Sequence, residues 1–211
     1  MKIYIINSGL SNVSSVANMV KWVGFTPIVT QSIKEVNEED KIIFPGIGNF
    51  SQAMTNLKDL DIIDDIKKSV LVRKNDFLGI CLGMQLLMDS SEESPGVDGL
   101  GFIPGIVKKF DFTNNSEFSN LKVPHIGWNK ISISRESKIF NNYKEDRTRY
   151  YFVHSYYVEC KNSNDVLAKT SYGKSFDSII SKENIYGFQF HPEKSLKYGA
   201  NLIKNFCELK K

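Results

Sequence analysis

The sequence predicts an α/β fold with a central, mostly parallel sheet flanked by helices and an extra β-rich second half. Two observations support this: the first half alternates short apolar strand patterns with helical patterns, and the second half is a series of short strand patterns. A third observation comes from residues 76–89, where a short apolar run typical of a strand is followed, after Cys81, by apolar residues at helical spacing. With 211 residues, the chain is expected to form one domain, residues 1–211.

The first half begins with a β-rich run at residues 2–6. Residues 13–23 follow with near-helical spacing of apolar side chains up to Gly24, and further strands are expected at residues 26–30 and 41–44. Repeated β-α-β alternation implies parallel strands, and ligands collect at the carboxyl ends of such strands. Residues 7–9, 45–49 and 79–83 are predicted to reach that edge.

The second half begins after a glycine- and proline-rich loop, residues 94–105, which is expected to join the two halves within one domain. A polar turn is expected at residues 113–116, and a final amphipathic helix at 194–210. Cys160 and Cys207 are expected to be packing residues. The predicted strands are residues 106–110, 130–133, 150–153, 156–160, 166–170, 176–181 and 185–190.

Composition excludes several classes of protein. Hydrophobic residues at 41% and charged residues at 24% are ordinary globular values, and no apolar run is long enough to span a bilayer. The N-terminus lacks the pattern of a signal peptide, so a cytoplasmic location and no membrane partner are expected. The three cysteines form no C-x-x-C pair, which disfavours disulfides and structural zinc. The net charge of +3 is scattered, so no nucleic-acid partner is expected, and no metal or cofactor is implied.

Cys81 stands between Gly79 and Gly83 in a G-x-C-x-G pattern, the thiol counterpart of the nucleophile elbow. A side chain on so sharp a strand-to-helix turn needs neighbours without Cβ atoms. The turn is expected to place the sulfur at a helix N-terminus, which favours the thiolate. The pattern therefore predicts a cysteine nucleophile; the alternative is a buried cysteine between packing glycines.

The loop 45–49 follows an apolar strand and contains Gly46 and Gly48. Its flexible backbone is able to aim an amide N–H at a developing anion, as an oxyanion hole requires. The Leu82 N–H, directly after the cysteine, is the natural second donor. A plain strand-to-helix loop is the alternative for this stretch.

His191 is the histidine best suited to serve the cysteine. It follows a strand pattern and precedes Pro192, which cannot continue a sheet ladder, and Glu193 lies two residues further on. In extended chain this offset places the carboxylate on the same side as the imidazole, where it orients the ring. His125 and His154 have no acid at that offset and are expected to be ordinary core or surface groups rather than bases.

These motifs resemble the class I glutamine amidotransferases, and the resemblance runs over nearly the whole chain. Two further stretches are similar to the glutaminase subunits of imidazole glycerol phosphate synthases. The resemblance rests on the sequences at residues 79–85 (GICLGMQ), 45–48 (PGIG), 190–195 (FHPEKS), 124–129 (PHIGWN) and 151–156 (YFVHSY).

The resemblance implies a glutaminase that converts L-glutamine to glutamate and passes ammonia to a (β/α)8 cyclase. Together the two subunits would form imidazole glycerol phosphate and AICAR in histidine biosynthesis. By this resemblance Cys81 is the nucleophile, His191 the acid and base, and Glu193 the acid that orients His191. The Ile47 and Leu82 amides are the oxyanion donors, and the residues implied to bind glutamine are Gly48, Gln85, Ser155 and Tyr156. Asn12 and Trp128 are implied to lie at the interface with the cyclase.

One stretch departs from the family pattern. Relatives carry Asp-Tyr-Gly-x-Gly-Asn after the first strand, whereas residues 7–12 read NSGLSN and keep only Gly9 and Asn12. Because that loop belongs near the synthase-facing edge, an alternative is a paralogous glutaminase that feeds ammonia to a sugar amidotransferase in surface glycan biosynthesis. Trp128 has core packing as its alternative.

Two further classes remain as alternatives, a non-catalytic binding subunit on the same fold and a cysteine peptidase of related build. The intact set of Cys81, His191 and Glu193 argues against both. The loop glycines also predict that the glutaminase is slow alone and faster when a synthase aligns the Ile47 amide.

Overall fold

A computed structural model describes residues 1–113, 118, 120–144 and 148–210. The strands are β1 Ile3–Ile6, β2 Pro27–Thr30, β3 Lys41–Gly46, β4 Phe77–Cys81, β5 Ser90–Ser91, β6 Gly105–Lys109, β7 His125–Asn129, β8 Ser132–Ile133, β9 Tyr150–His154, β10 Tyr156–Cys160, β11 Val166–Tyr172, β12 Lys174–Lys182 and β13 Ile185–Phe188. The helices are α1 Val13–Trp22, α2 Phe50–Asp59, α3 Ile63–Lys67, α4 Leu82–Gln85 and α5 Leu196–Glu208.

The large sheet is parallel in its first part, as the sequence predicts. Strands lie side by side in the order β2, β1, β3, β4 and β13, and each neighbouring pair is parallel. Every residue of β1, β3 and β4 is buried, because helices cover both faces of a parallel sheet. Gly46 at the end of β3 is paired with Cys81 at the end of β4, so both loops open at one edge.

The rest of the chain extends this sheet with strands that are antiparallel to their neighbours, except that β5 and β6 are parallel. β12 pairs with β13, and β10, β6 and β5 continue the sheet outward from β12. β11 also pairs with β12, and the short β8 pairs with β11. β7 and β9 form a separate two-stranded antiparallel sheet. The result is the predicted mixed fold, with helices on both faces of the large sheet.

Two apolar clusters hold the layers together. On one face, Val20 of α1 and Ile203 and Phe206 of α5 are buried against the sheet. On the other, Phe50 and Leu57 of α2 are buried. The final helix therefore docks on the core as predicted, and Cys207 is 1% exposed within it, which raises the pKa of its thiol to about 12.

The helix after Cys81 is shorter than the sequence indicates. The spacing predicts helical structure toward Asp89, whereas α4 ends at Gln85. The carbonyl oxygens that a longer helix would use internally accept hydrogen bonds from a returning segment: Leu100 N–H donates to Leu86 and Phe102 N–H to Leu87. Because α4 is one turn long, its dipole at Cys81 is smaller than expected.

Other differences are local. β7 was not predicted, residues 130–133 form only the short β8, and residues 192–194 form a 3₁₀ turn before α5. Of the predicted polar turn at 113–116, residues 114–116 lie outside the described part of the chain. Within the described ranges, no helix is both long and apolar enough to span a membrane.

Candidate active site

Cys81 occupies a strained turn at the end of β4. Its backbone has φ 54° and ψ −109°, which a residue with a side chain rarely adopts. The turn depends on two glycines, as the sequence predicts: a Cβ on Gly83 would lie 1.9 Å from the Phe44 carbonyl oxygen, and one on Gly79 would lie 2.4 Å from the Gly83 carbonyl oxygen. The two glycines are therefore required for the backbones to approach this closely.

His191 stands directly beyond β13 and is 2% exposed. Its Nδ1 atom is 2.7 Å from Oε1 of Glu193, whose side chain is also buried. The sequence predicts this contact, but the backbone between the two residues differs from the expected one. It forms a 3₁₀ turn from Pro192 instead of remaining extended. The carboxylate fixes the ring and leaves Nε2 for chemistry.

Cys81 and His191 line the same cavity, which has a volume of about 430 Å³. Burial lowers the pKa of His191, but its electrostatic interactions and hydrogen bonds with Cys81, and after them with Glu193, outweigh burial and raise that pKa to about 10. The imidazole is therefore held in its protonated form at neutral pH. A protonated imidazole beside a cysteine is the arrangement that stabilises a thiolate nucleophile.

The residues predicted to surround the substrate line this cavity too. They are Ile47, Gly48, Leu82, Gln85, Ser155 and Tyr156. Gln85 is 5% exposed, and its Nε2 donates a hydrogen bond to the Tyr156 carbonyl oxygen over 3.0 Å. The Gln85 amide is therefore already held by the protein where it faces the cavity.

The Ile47 amide, predicted to be an oxyanion donor, is engaged elsewhere in this conformation. Its N–H donates to the Leu10 carbonyl oxygen over 2.8 Å. Gly48, the next residue, has φ +97°, a left-handed conformation that favours glycine. An N–H committed to Leu10 is not offered to an anion beside Cys81.

Several residues at the site were not predicted from the sequence, and Pro124, Val153 and His154 are among those that line the cavity. Glu93 lines the cavity and accepts a hydrogen bond from the Phe50 N–H over 2.7 Å, and Lys194 lines it beside His191. Gln189 is fully buried, and its Nε2 lies 3.8 Å from the Cys81 sulfur. A polar residue between Phe188 and Phe190 was a visible signal for Gln189, whereas nothing in the sequence distinguishes Glu93 from neighbouring acids.

The two residues predicted to face a partner are both exposed. Trp128 is 47% exposed and packs edge-to-face on Tyr151 with ring centres 5.9 Å apart, so the core-packing alternative does not describe it. Asn12 caps α1, where its side-chain oxygen accepts a hydrogen bond from the Ser15 N–H over 3.3 Å. Asn12 thus caps a helix, a structural role that was not predicted from the sequence.

The fold and the residues of the cavity define a class of enzyme. The family description "Glutamine amidotransferase class-I" matches residues 4–209, and the chain belongs to this family. Solved structures agree on the fold: a glutamine amidotransferase has a TM-score of 0.69 at 15% identity, with 96% of this chain and 99% of that chain covered. PurLQS from Thermotoga maritima also has a TM-score of 0.69 at 15% identity, with 97% and 96% covered.

Curated relatives narrow the similarity to one group within the family. The imidazole glycerol phosphate synthase subunit HisH 2 of Methanococcus maripaludis is 46% identical over 98% of this chain and 98% of its own length. The HisH subunit of Leptospira borgpetersenii is 42% identical over 97% and 98%, and HisH 1 of Campylobacter jejuni is 41% identical over 98% and 100%. The sugar-amidotransferase alternative is not favoured by these relatives.

Proposed function

We propose that this chain is the glutaminase subunit of an imidazole glycerol phosphate synthase. It hydrolyses L-glutamine to glutamate and delivers ammonia to a (β/α)8 cyclase subunit, which forms imidazole glycerol phosphate and AICAR in histidine biosynthesis. The observation that carries the proposal is the single cavity into which Cys81, His191 and the proposed glutamine-binding residues all open.

The first half-reaction is attack by the Cys81 thiolate on the side-chain amide carbon of glutamine. A C–S bond forms and the carbonyl becomes an oxyanion, which the Leu82 and Ile47 amides stabilise when both are aligned. Collapse of this intermediate breaks the C–N bond, and protonated His191 gives its proton to the departing nitrogen. Ammonia and a thioester of Cys81 result.

The second half-reaction releases glutamate. His191, now neutral, takes a proton from a water molecule, and the hydroxide attacks the thioester carbon. The same amides stabilise the second oxyanion, and the C–S bond breaks to return the thiolate and the imidazolium. Glu193 holds the ring orientation through both steps, since its carboxylate accepts a hydrogen bond from the Nδ1–H group of His191.

Charges around the cavity suit an amino-acid substrate. The Glu93 carboxylate is placed to attract the α-ammonium group of glutamine, and the Lys194 ammonium is placed to attract its α-carboxylate. Gly48, Ser155 and Tyr156 offer backbone groups beside them. An unbranched peptide segment has no such pair of terminal charges, which supports free glutamine over a peptide substrate.

Ammonia must leave the cavity unprotonated, because ammonium is not a nucleophile. Direct passage into the cyclase avoids its protonation in water. The cyclase contact includes Asn12 and Trp128 in this proposal, and the exposed Trp128 indole and Ile126 on the same strand give an apolar surface at β7 that supports it.

A coupled assay tests this function. The chain is mixed with a (β/α)8 cyclase from the histidine pathway, and glutamate and imidazole glycerol phosphate are measured with wild type, Cys81→Ser and Cys207→Ser. The proposal predicts both products with wild type and Cys207→Ser, and none above background with Cys81→Ser. Glutamate without imidazole glycerol phosphate would contradict the cyclase assignment, and full activity of Cys81→Ser would contradict the mechanism.

A further inference from the structure

Two histidines that the proposed mechanism does not use face each other at the site: His154 lines the cavity, and His125 lies against His154. His125 on β7 and His154 on β9 are paired directly across the antiparallel ladder and are 3% and 6% exposed. Nδ1 of His125 lies 3.0 Å from Nε2 of His154. Buried polar groups cost free energy unless they are hydrogen-bonded, so the partners of the remaining ring nitrogens decide what this pair does.

The hydrogen-bond direction follows from one fixed acceptor. Nδ1 of His154 is 2.8 Å from the Tyr156 carbonyl oxygen, and a carbonyl only accepts, so Nδ1 carries the proton. Burial lowers the pKa of His154 to about 3 and that of His125 to about 4, and each neutral ring holds one proton. Nε2 of His154 is then an acceptor, and Nδ1 of His125 is its donor.

The surroundings keep both rings neutral. The faces and edges of the pair are packed by aromatic side chains: Tyr172 stacks on His125 with ring centres 4.0 Å apart, and Phe110 and Phe176 lie against His154 at 5.3 and 5.2 Å. Repulsion from His125, and to a lesser extent from His191, further lowers the pKa of His154.

The chain of hydrogen bonds continues at both ends. Outward, Nδ2 of Asn129 lies 3.4 Å from Nε2 of His125, which completes the ring's partners. Inward, the Tyr156 carbonyl oxygen also accepts from Nε2 of Gln85 over 3.0 Å. Gln85 reaches Oε1 of Gln189 over 3.3 Å, and Nε2 of Gln189 lies 3.8 Å from the Cys81 sulfur. From Asn129 the donors point inward as far as the Tyr156 carbonyl oxygen, which accepts from both His154 and Gln85, and Gln85 and Gln189 then continue the contacts to the Cys81 sulfur.

We propose that His154 and His125 are positioning residues for the glutamine site, because their directed hydrogen bonds fix the Tyr156 carbonyl and, through it, the Gln85 side chain that faces the substrate. This role rests on the proposed glutaminase function. It assigns the two histidines to substrate placement and not to proton transfer, so their loss affects glutamine recognition more than the reactivity of Cys81.

Two labelling reagents separate these effects. A glutamine-analogue electrophile, 6-diazo-5-oxo-L-norleucine, needs glutamine recognition to reach Cys81, whereas iodoacetamide needs only an accessible thiolate. The half-saturating analogue concentration, the maximal labelling rate and the iodoacetamide rate are measured on the full chain with the cyclase present. His154→Phe keeps an aromatic ring but removes the donor, whereas His154→Asn keeps an N–H at the position of Nδ1.

We expect His154→Phe to raise the half-saturating analogue concentration about tenfold, the effect of losing one buried hydrogen bond to a positioned group. His154→Asn should stay within about threefold of wild type, and the iodoacetamide rate should change less than about threefold in both. His125→Phe and His125→Asn form a second pair of variants. Only His125→Phe is expected to raise the half-saturating analogue concentration, by about threefold or more. This second pair tests the proposal if His154→Phe does not fold.

Unchanged analogue recognition in the phenylalanine variants would overturn the proposal, as would asparagine variants no better than the phenylalanine ones. Wild-type chain that reacts with iodoacetamide but shows no saturable analogue labelling would instead contradict the proposed function itself, and the positioning role would fall with it. The wild-type measurement therefore distinguishes the two failures.

Discussion

The Ile47 N–H donates a hydrogen bond to the Leu10 carbonyl oxygen over 2.8 Å. Leu10 belongs to the loop after β1, so a contact from a loop distant in the sequence engages one of the two proposed oxyanion donors. Freeing the donor requires the peptide between Gly46 and Ile47 to rotate, and Gly46 has no Cβ to oppose this.

We therefore predict that the cyclase stimulates the glutaminase. One oxyanion donor contributes about 10²- to 10³-fold in rate, so release of the Ile47 N–H should raise the turnover number by roughly that factor. Glutamate formation is measured at saturating glutamine with and without the cyclase and its bound substrate analogue. Equal turnover numbers would show that the Leu10 contact does not limit the reaction.

Gly48→Ala should impair catalysis through the backbone alone. Gly48 has φ +97° with open space where a Cβ would stand, so alanine adds conformational strain of about 1 to 2 kcal/mol without a clash. Gly24→Ala is a matched control, because Gly24 has φ +94° and equally open surroundings at the end of α1. Urea unfolding should show similar destabilisation in both variants, whereas the cyclase-stimulated turnover number should fall only in Gly48→Ala.

Glu193→Gln should shift the alkaline limit of activity. In the wild type, His191 has a raised pKa of about 10, so the imidazolium needed to protonate the departing amide nitrogen is present up to that pH and is lost above it. Removing the Glu193 charge lowers the pKa of His191, and the alkaline limb of kcat/KM should move to lower pH. Glu183→Gln, at an exposed residue paired with Lys74, is the control and should leave the profile in place. If the alkaline limb of kcat/KM stayed at the wild-type pH in Glu193→Gln, the role assigned to Glu193 would be contradicted.

His154 should make the fold sensitive to mild acid. Its pKa is about 3 in the folded chain and near 6.5 when unfolded, so its contribution to stability is complete above pH 6.5 and is lost as the pH falls toward 3. Between pH 7 and pH 5 this amounts to about 2 kcal/mol. Urea unfolding at both pH values should therefore show a smaller acid-induced loss in His154→Asn than in the wild type; equal losses would argue against a neutral His154.

The parts of this molecule that the sequence predicts are those encoded by neighbouring residues. The parallel strands follow from apolar runs bounded by turn residues, and the turn at Cys81 follows from glycines two positions away on either side. His191 and Glu193 were paired from their offset alone, although the 3₁₀ turn at Pro192 and not an extended chain brings them together.

The features that escape prediction depend on distant partners. The helix after Cys81 stops at Gln85 because residues 99–103 donate to the carbonyls beyond it, and the Ile47 N–H is held by Leu10. β7 was missed because glycine, histidine and asparagine have low strand propensity, and its pairing with β9 overrides that preference. No pattern among neighbouring residues predicts which distant backbone group a given N–H or carbonyl will bond to.

Mass spectrometry of the chain after exposure to a glutamine-analogue electrophile tests the central claim most directly. Cys160 and Cys207 serve as internal controls, because burial raises the pKa of both thiols and leaves them unreactive. With the cyclase present, the account predicts a single adduct on Cys81 that excess glutamine prevents and that His191→Ala slows by about 10² or more. Absence of that adduct, or equal labelling of the other two cysteines, would contradict it.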